Sequence, residues 1–247
     1  MRHDALRALA EALGTYFLVL IGPGAVMVDA YSHGVLGPTG VALAFAFVVV
    51  AMVRALGHVS GAHINPAVTL AFWSVGRFPA GQIIPYIAAQ CSGAVAASLT
   101  LRWILGPVGQ LGSTLPHVGI ARALIVEGLF SFVLMLVIMA VATDERVASG
   151  FSALAVGLTV GFCALLGALT GSSMNPARSL GPAVAGHLWT GYWVYWVAPI
   201  GGMLLAARFY EHLRPVGPPV APGSAFGVEG PLSTQTAAEI APVQPGI

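Results

Sequence analysis

The sequence predicts an all-α membrane protein with six transmembrane helices and two re-entrant half-helices, arranged as an inverted repeat of three spans plus three. The first observation is composition: the 247 residues are 57% hydrophobic and only 8% charged, whereas a soluble domain carries about 25% charged residues. The second is a set of six apolar segments long enough to cross a bilayer. The third is that residues 57–68 (GHVSGAHINPAV) and 167–178 (GALTGSSMNPAR) align without a gap, and each interrupts apolar sequence.

The spans can be placed because a transmembrane helix needs about 20 mainly apolar residues. Six segments qualify, at roughly 7–29, 39–57, 81–105, 119–142, 150–168 and 190–211. The first has the look of a signal peptide, but its apolar run is long and carries Glu11, so we expect an uncleaved span. The spans predict one transmembrane channel domain over residues 1–214. Residues 215–247 are rich in Pro and Gly and lack periodicity, which predicts a disordered cytoplasmic tail.

The repeat extends beyond the two broken stretches. Glu11 opens EALGTYF in the first span, and Glu127 opens EGLFSF in the fourth. The chain therefore divides into halves of roughly 1–115 and 116–214, with three spans in each. Because each half has an odd number of spans, the second half starts on the opposite side of the membrane and is inverted relative to the first. Inverted repeats are an architecture of channels and transporters.

The arginines predict the orientation. If both termini face the cytoplasm, Arg54, Arg77 and Arg208 lie on the cytoplasmic side, and Arg102 and Arg122 are exceptions. The expected location is a cell membrane, either plasma or inner, crossed several times. The net charge of +1 gives no reason to expect a nucleic-acid partner.

The broken stretches predict helix starts. Asn is a favoured N-cap, and Pro is favoured at the first helical position. We therefore expect each half-helix to begin at one of two motifs, Asn65-Pro66-Ala67 and Asn175-Pro176-Ala177. Each helix that follows is too short to span, and non-helical backbone at that depth is tolerated only where it is buried in protein or lines a wet cavity.

Inversion brings the two half-helix N-termini together near the middle of the membrane. Each N-terminus carries about half a positive charge, so the facing ends oppose cations and protons. The side-chain NH2 groups of Asn65 and Asn175 are expected to be free to hold a passing water by its oxygen. This arrangement predicts a pore for small neutral molecules.

Glu11 and Glu127 are carboxylic acids inside spans at matched positions. Such acids often mark ion pathways. The alternative is that each accepts hydrogen bonds from the irregular loop beside its half-helix and supports that loop. We favour structural support.

The paired NPA motifs, together with NPARSLGPA and WVYWVAP, resemble the aquaporin (major intrinsic protein) family over residues 7–211. The resemblance implies six tilted helices plus two half-helices, one pore per protomer and a homotetramer. It also supports the structural interpretation of the two glutamates. The partners it implies are water, small neutral solutes and the lipid bilayer.

The resemblance also implies a selectivity filter. Phe45, Ser172 and Arg178 occupy three of its positions, and Arg178 is an intramembrane charge of the kind that faces a cavity. The fourth position falls on Cys163, where strict water channels carry His. Ala164 replaces it if the register shifts by one.

These features predict a passive water channel that also passes some other small neutral solutes and excludes ions and protons. The resemblance also favours water, because this chain has Ser179 where the family's glycerol channels carry Asp. An aquaglyceroporin-like channel for glycerol is the alternative, and a secondary transporter is a further rival. We expect no enzyme activity, no cofactor and no bound metal, since neither a catalytic pair nor a metal-ligand spacing has convincing motif context.

Overall fold

A computed structural model of the chain describes residues 2–144 and 151–214, and over these ranges it contains helices and no strands. The eight α-helices of the described residues are α1 Arg2–Tyr31, α2 Gly37–Ser60, α3 Pro66–Ser74, α4 Ile83–Leu105, α5 Ile120–Thr143, α6 Ser152–Ala164, α7 Pro176–Gly186 and α8 Val194–Leu213. The predicted fold class is confirmed. The tail expected at 215–247 lies outside the described residues.

The long helices follow the predicted spans. Four of them, at His3–Tyr31, Gly37–Ser60, Ala80–Leu105 and Ile120–Thr143, are long and apolar enough to cross a membrane. The fifth predicted span, at 150–168, is shorter than expected. Helix α6 ends at Ala164, because the following residues form tight turns, with Leu166 N–H donating to the Cys163 carbonyl and Leu169 N–H to the Leu166 carbonyl.

Close helix crossings repeat between the halves. Helix α1 packs on α4, and α5 packs on α8. A Cβ atom on Gly93 would lie 2.1 Å from the Ala12 carbonyl oxygen, and one on Gly202 would lie 2.2 Å from the Gly128 carbonyl oxygen. Small residues allow this close approach of helix backbones in membranes.

The short helices interlock the two halves. Helix α3 packs on α8 of the second half, and α7 packs on α4 of the first. Gly181 lets α7 approach α4, because a Cβ there would lie 2.4 Å from the Ala94 carbonyl oxygen. The N-termini of α3 and α7 consequently meet inside the protein.

Candidate functional site

The two short helices begin with the same cap. The Asn65 side-chain oxygen accepts a hydrogen bond from Ala67 N–H at 2.9 Å. The Asn175 oxygen accepts from Ala177 N–H at 3.0 Å and from Arg178 N–H at 3.2 Å. In both helices a proline occupies the first helical position, where its missing N–H is not needed.

Each asparagine also binds the loop that precedes the other. Asn65 Nδ2 donates to the Met174 carbonyl, and Asn175 Nδ2 donates to the Ile64 carbonyl, both at 2.8 Å. The expectation that both NH2 groups are wholly free for the pore is therefore wrong. An amide nitrogen carries two hydrogens, so each asparagine retains one N–H for a solute.

The loops before the two caps share an uncommon backbone. In the first loop, Ala62 and Ile64 have φ of 46° and 43°; in the second, Ser172 and Met174 have φ of 42° and 52°. Positive φ is rare for residues with a side chain. Such strain persists only where the surroundings hold it, and it concentrates at functional sites.

Glu11 provides those surroundings in the first half. One carboxylate oxygen accepts from His63 N–H at 2.9 Å and from the Ser60 hydroxyl at 2.7 Å. The other accepts from Ile64 N–H at 2.6 Å and from Gln90 Nε2 at 2.8 Å. The carboxyl group therefore holds the first loop by two backbone N–H groups and ties it to the end of α2 through Ser60 and to α4 through Gln90.

Glu127 repeats the arrangement in the second half. It accepts from Ser173 N–H and Met174 N–H, both at 2.8 Å, and from the Thr170 hydroxyl at 2.7 Å. Like Glu11, it is fully buried. Both glutamates are thus occupied by the loops beside the half-helices.

Two tyrosines bind the loops at matched positions in the two halves. The Tyr86 hydroxyl donates to the Ser60 carbonyl, and the Tyr195 hydroxyl donates to the Thr170 carbonyl, both at 2.8 Å. Sequence reasoning missed this role, although the two tyrosines occupy matched positions in the repeat.

A cavity of about 110 Å³ lies where the half-helices meet, which is room for several water molecules. Most of its wall is apolar, with Leu18, Val49 and Ile138 among the lining residues. The polar lining includes both asparagines. A mainly apolar wall with a few polar groups is the usual composition of a small-molecule site.

Arg178 lies in the cavity wall and is only 3% exposed. One terminal nitrogen donates to the Gly112 carbonyl at 2.8 Å, and the other reaches the Gly171 carbonyl at 3.5 Å. Its Nε has no hydrogen-bond partner among the residues that the structure describes. The guanidinium is therefore held at one edge and keeps donors for a solute.

Phe45 and Ser172 line the same cavity as Arg178. The guanidinium carbon lies 5.4 Å from the centre of the Phe45 ring. Gly22 makes room for that ring, because a Cβ there would lie 2.3 Å from a ring carbon. The structure thus brings together three of the four residues expected in the filter.

Cys163 lies beside these residues, in the same buried cluster as Phe45, but its side chain is not part of the cavity lining. Its carbonyl accepts a hydrogen bond from the Ser172 hydroxyl at 2.8 Å. Of the described α6 residues, Ser152, Val156 and Val160 line the cavity, while Cys163 and Ala164 do not. A pore-lining role for Cys163 remains a prediction.

An all-helical, multi-pass membrane chain with two half-helices meeting end to end belongs to the class of inverted-repeat membrane channels and transporters. The model of the major intrinsic protein family matches residues 2–210. This chain belongs to the major intrinsic protein family.

Similar proteins carry related names. A probable aquaporin, AqpM, of Archaeoglobus fulgidus is 42% identical over 238 residues, which covers 85% of this chain and 97% of the relative. Aquaporin NIP1-1 of Zea mays is 44% identical over 210 residues, which covers 84% of this chain and 74% of the relative. The solved aquaglyceroporin from Plasmodium falciparum is 26% identical with a TM-score of 0.74, covering 84% of this chain and 96% of that one.

Proposed function

We propose that this protein is a passive channel for water that also passes some other small neutral solutes and excludes ions and protons. The observation that carries the proposal is the meeting of two half-helix N-termini at a cavity with room for several waters, lined by Asn65, Asn175 and Arg178. Family membership and the aquaporin names of the relatives agree with it.

Charge exclusion follows from the positive ends that face one another. Each half-helix N-terminus is equivalent to about half a positive charge, and Arg178 adds a full charge in the same wall. A cation entering the cavity meets all three. Neutral water meets the remaining N–H of each asparagine, which can bind its oxygen and leave its hydrogens pointing along the pore.

The range of solutes depends on the filter. Phe45, Ser172 and Arg178, with Cys163 beside them, form a ring that lacks the bulk of a histidine. The Ser179 hydroxyl is buried, accepts a hydrogen bond from the Thr114 hydroxyl at 2.8 Å and shares a 2.5 Å hydrogen bond with the Ser173 hydroxyl. We therefore favour water with a minor flux of other small neutral molecules. A channel mainly for glycerol is the alternative, and the solved relative is itself named an aquaglyceroporin.

Acidic side chains that face the solute would favour transport coupled to an ion. The described residues that line the cavity include no aspartate or glutamate. Glu11 and Glu127 instead face the loops, where donors occupy their oxygens. This favours a channel over a secondary transporter, and a channel needs neither a cofactor nor an enzyme's catalytic group.

We further propose a homotetramer in the cell membrane with one pore per protomer and both termini in the cytoplasm. The transmembrane channel domain comprises residues 1–214, with residues 215–247 as a cytoplasmic tail. The family resemblance supports the assembly, and the distribution of arginines supports the orientation.

Stopped-flow light scattering on proteoliposomes tests the function. Against an impermeant osmolyte, vesicles containing the channel should shrink faster than empty vesicles. In a glycerol gradient, slow re-swelling supports a water channel, and quick re-swelling supports the glycerol alternative. Shrinkage no faster than that of empty vesicles would refute the proposed function.

A further inference from the structure

The loop between α4 and α5 contains an unusual left-handed turn. Gly109, Gln110 and Leu111 have φ and ψ of 54° and 30°, 49° and 33°, and 56° and 24°, and Gly112 follows with φ of 66°. Residues with a side chain enter this conformation singly and at a cost. Two of them within a run of four indicate that the surrounding structure imposes the turn.

Helix α1 is the element that imposes it. A Cβ on Gly112 would lie 2.7 Å from the Pro23 carbonyl oxygen, and one on Gly109 would lie 3.0 Å from the Ala30 Cβ. The Leu111 side chain is 2% exposed in a cluster with Met27, Leu101 and Ala185. The turn is thus pressed against α1 and anchored by its leucine.

This placement directs the Gly112 carbonyl toward the Arg178 guanidinium. Gly112 accepts from a terminal nitrogen of Arg178 at 2.8 Å, whereas the contact with Gly171 is 3.5 Å long and Nε has no partner among the described residues. Gly112 therefore supplies the one short hydrogen bond that the guanidinium makes within residues 2–144 and 151–214. Without it, a nearly buried cation keeps only the long contact with the Gly171 carbonyl and must find its other polar partners in the cavity.

We propose that the left-handed turn Gly109–Gly112 is a positioning element that holds Arg178 against the wall and keeps the water path clear. The proposal rests on the proposed function, because it treats the cavity as that path. Gly112 must lack a side chain for its carbonyl to reach Arg178. If the turn moves, the guanidinium rotates into the cavity and obstructs water.

Three alanine substitutions are expected to displace the turn by different amounts. Gly112→Ala places a Cβ against backbone, Gly109→Ala makes a milder contact, and Gly37→Ala is the matched control. Gly37 has φ of 62°, and its Cβ would meet nothing within 4 Å. The measurement is water permeability per reconstituted channel by stopped-flow light scattering.

We expect Gly112→Ala to lower permeability about tenfold, as the loss of one hydrogen bond to a charged group would. Gly109→Ala should lower it less, and Gly37→Ala should leave it unchanged. If Gly112→Ala does not reach the membrane, Gly109→Ala decides by the same comparison with Gly37→Ala. Equal permeability in the turn variants and the control would overturn the proposal.

A second comparison separates positioning from a general structural defect. In an Arg178→Ala background, adding Gly112→Ala or Gly109→Ala should change permeability no further, because the group being positioned is gone. If the glycine substitutions lower water permeability in the Arg178→Ala background as much as they do in the channel that keeps Arg178, the proposal is overturned. A wild-type channel that passes no water would instead refute the proposed function, so the two failures are distinguishable.

Discussion

Asn65 and Asn175 each donate a 2.8 Å hydrogen bond to the carbonyl immediately before the other asparagine. Each side chain thus caps its own half-helix with its oxygen and binds the opposite half with its nitrogen. A contact between the two halves is therefore made by the same side chains that line the cavity, and we expect a change to either asparagine to affect both stability and selectivity.

Asn175→Asp tests this double role. The aspartate keeps an oxygen for the cap, but its second oxygen then faces the Ile64 carbonyl, an acceptor against an acceptor. Leaving that buried carbonyl unsatisfied costs about 1–3 kcal/mol. The added negative charge also offsets the positive helix ends, so we expect cation and proton leakage to rise while water still passes.

The leakage is measured as dye-reported proton flux into proteoliposomes under a potassium diffusion potential. Asn65→Asp should behave in the same way, because the hydrogen bond from Asn65 Nδ2 to the Met174 carbonyl is equivalent to the one from Asn175 Nδ2 to the Ile64 carbonyl. Proton-tight vesicles with intact water flow in both variants would contradict the role assigned to the facing asparagines.

Glu127→Gln should destabilise the second half. The change removes the charge that three donors share and turns an amide NH2 toward either Ser173 N–H or Met174 N–H. We expect a loss of about 3 kcal/mol and a drop of about 6–12 °C in the unfolding midpoint. Thermal unfolding of the purified protein in detergent measures it.

Glu211→Gln is the control for that experiment. Its carboxylate lies 2.8 Å from Arg77 Nε, but both side chains are about a third exposed. Ion pairs at such sites contribute less than about 1 kcal/mol, so the midpoint should move little. Equal shifts in the two variants would show that the buried bonds to Glu127 carry no special stability.

The glycine crossings predict a stability difference between neighbouring residues on one helix. Gly202→Ala places a Cβ 2.2 Å from a backbone oxygen, whereas Gly201→Ala meets nothing within 4 Å. We expect Gly202→Ala, and likewise Gly93→Ala, to cost about 3 kcal/mol or more because α5 and α8, or α1 and α4, must separate. Gly201→Ala should be neutral or slightly stabilising.

Size-exclusion chromatography followed by thermal unfolding distinguishes the variants. A Gly202→Ala protein as monodisperse and stable as Gly201→Ala would mean that the crossing relaxes without cost.

Much of this fold could be predicted from the sequence because two local signals occur twice. Apolar segments near span length locate the long helices, and Asn-Pro-Ala after glycine-rich polar sequence locates the half-helices. The end of α6 could not be predicted, since Leu165 and Leu166 continue an apolar pattern that periodicity cannot distinguish from helix. Only their short-range hydrogen bonds reveal the turns.

The sequence points to candidate side chains but not to the backbone groups that bind them. Phe45 is expected only from the family resemblance, whereas Arg178 is recognisable as a charge inside an apolar chain. The Gly112 carbonyl is not, because any residue has a carbonyl and its direction depends on a left-handed turn.

Arg102, an exception to the predicted orientation, donates to the Ala185 carbonyl in the last turn of α7, where a cation is favoured by the helix dipole.

Cys163 gives the sharpest test of the predicted filter. Its carbonyl accepts a hydrogen bond from the Ser172 hydroxyl, so position 163 is next to the predicted filter even though the thiol does not line the cavity. Cys163→His introduces a larger polar side chain beside Ser172 and Arg178. We expect flux of small solutes such as glycerol or hydrogen peroxide to fall about tenfold or more while water flux persists.

A mercurial provides an independent measurement at the same position. If the thiol reaches the water path, mercurial block of wild-type water flux should disappear in Cys163→Ser and persist in Cys91→Ser, since Cys91 lies on α4, away from the cavity. Unchanged solute flux in Cys163→His, together with block that survives Cys163→Ser, would remove Cys163 from the filter. Val160 would then be the next α6 side chain to substitute, because it is the one that the cavity meets one turn earlier.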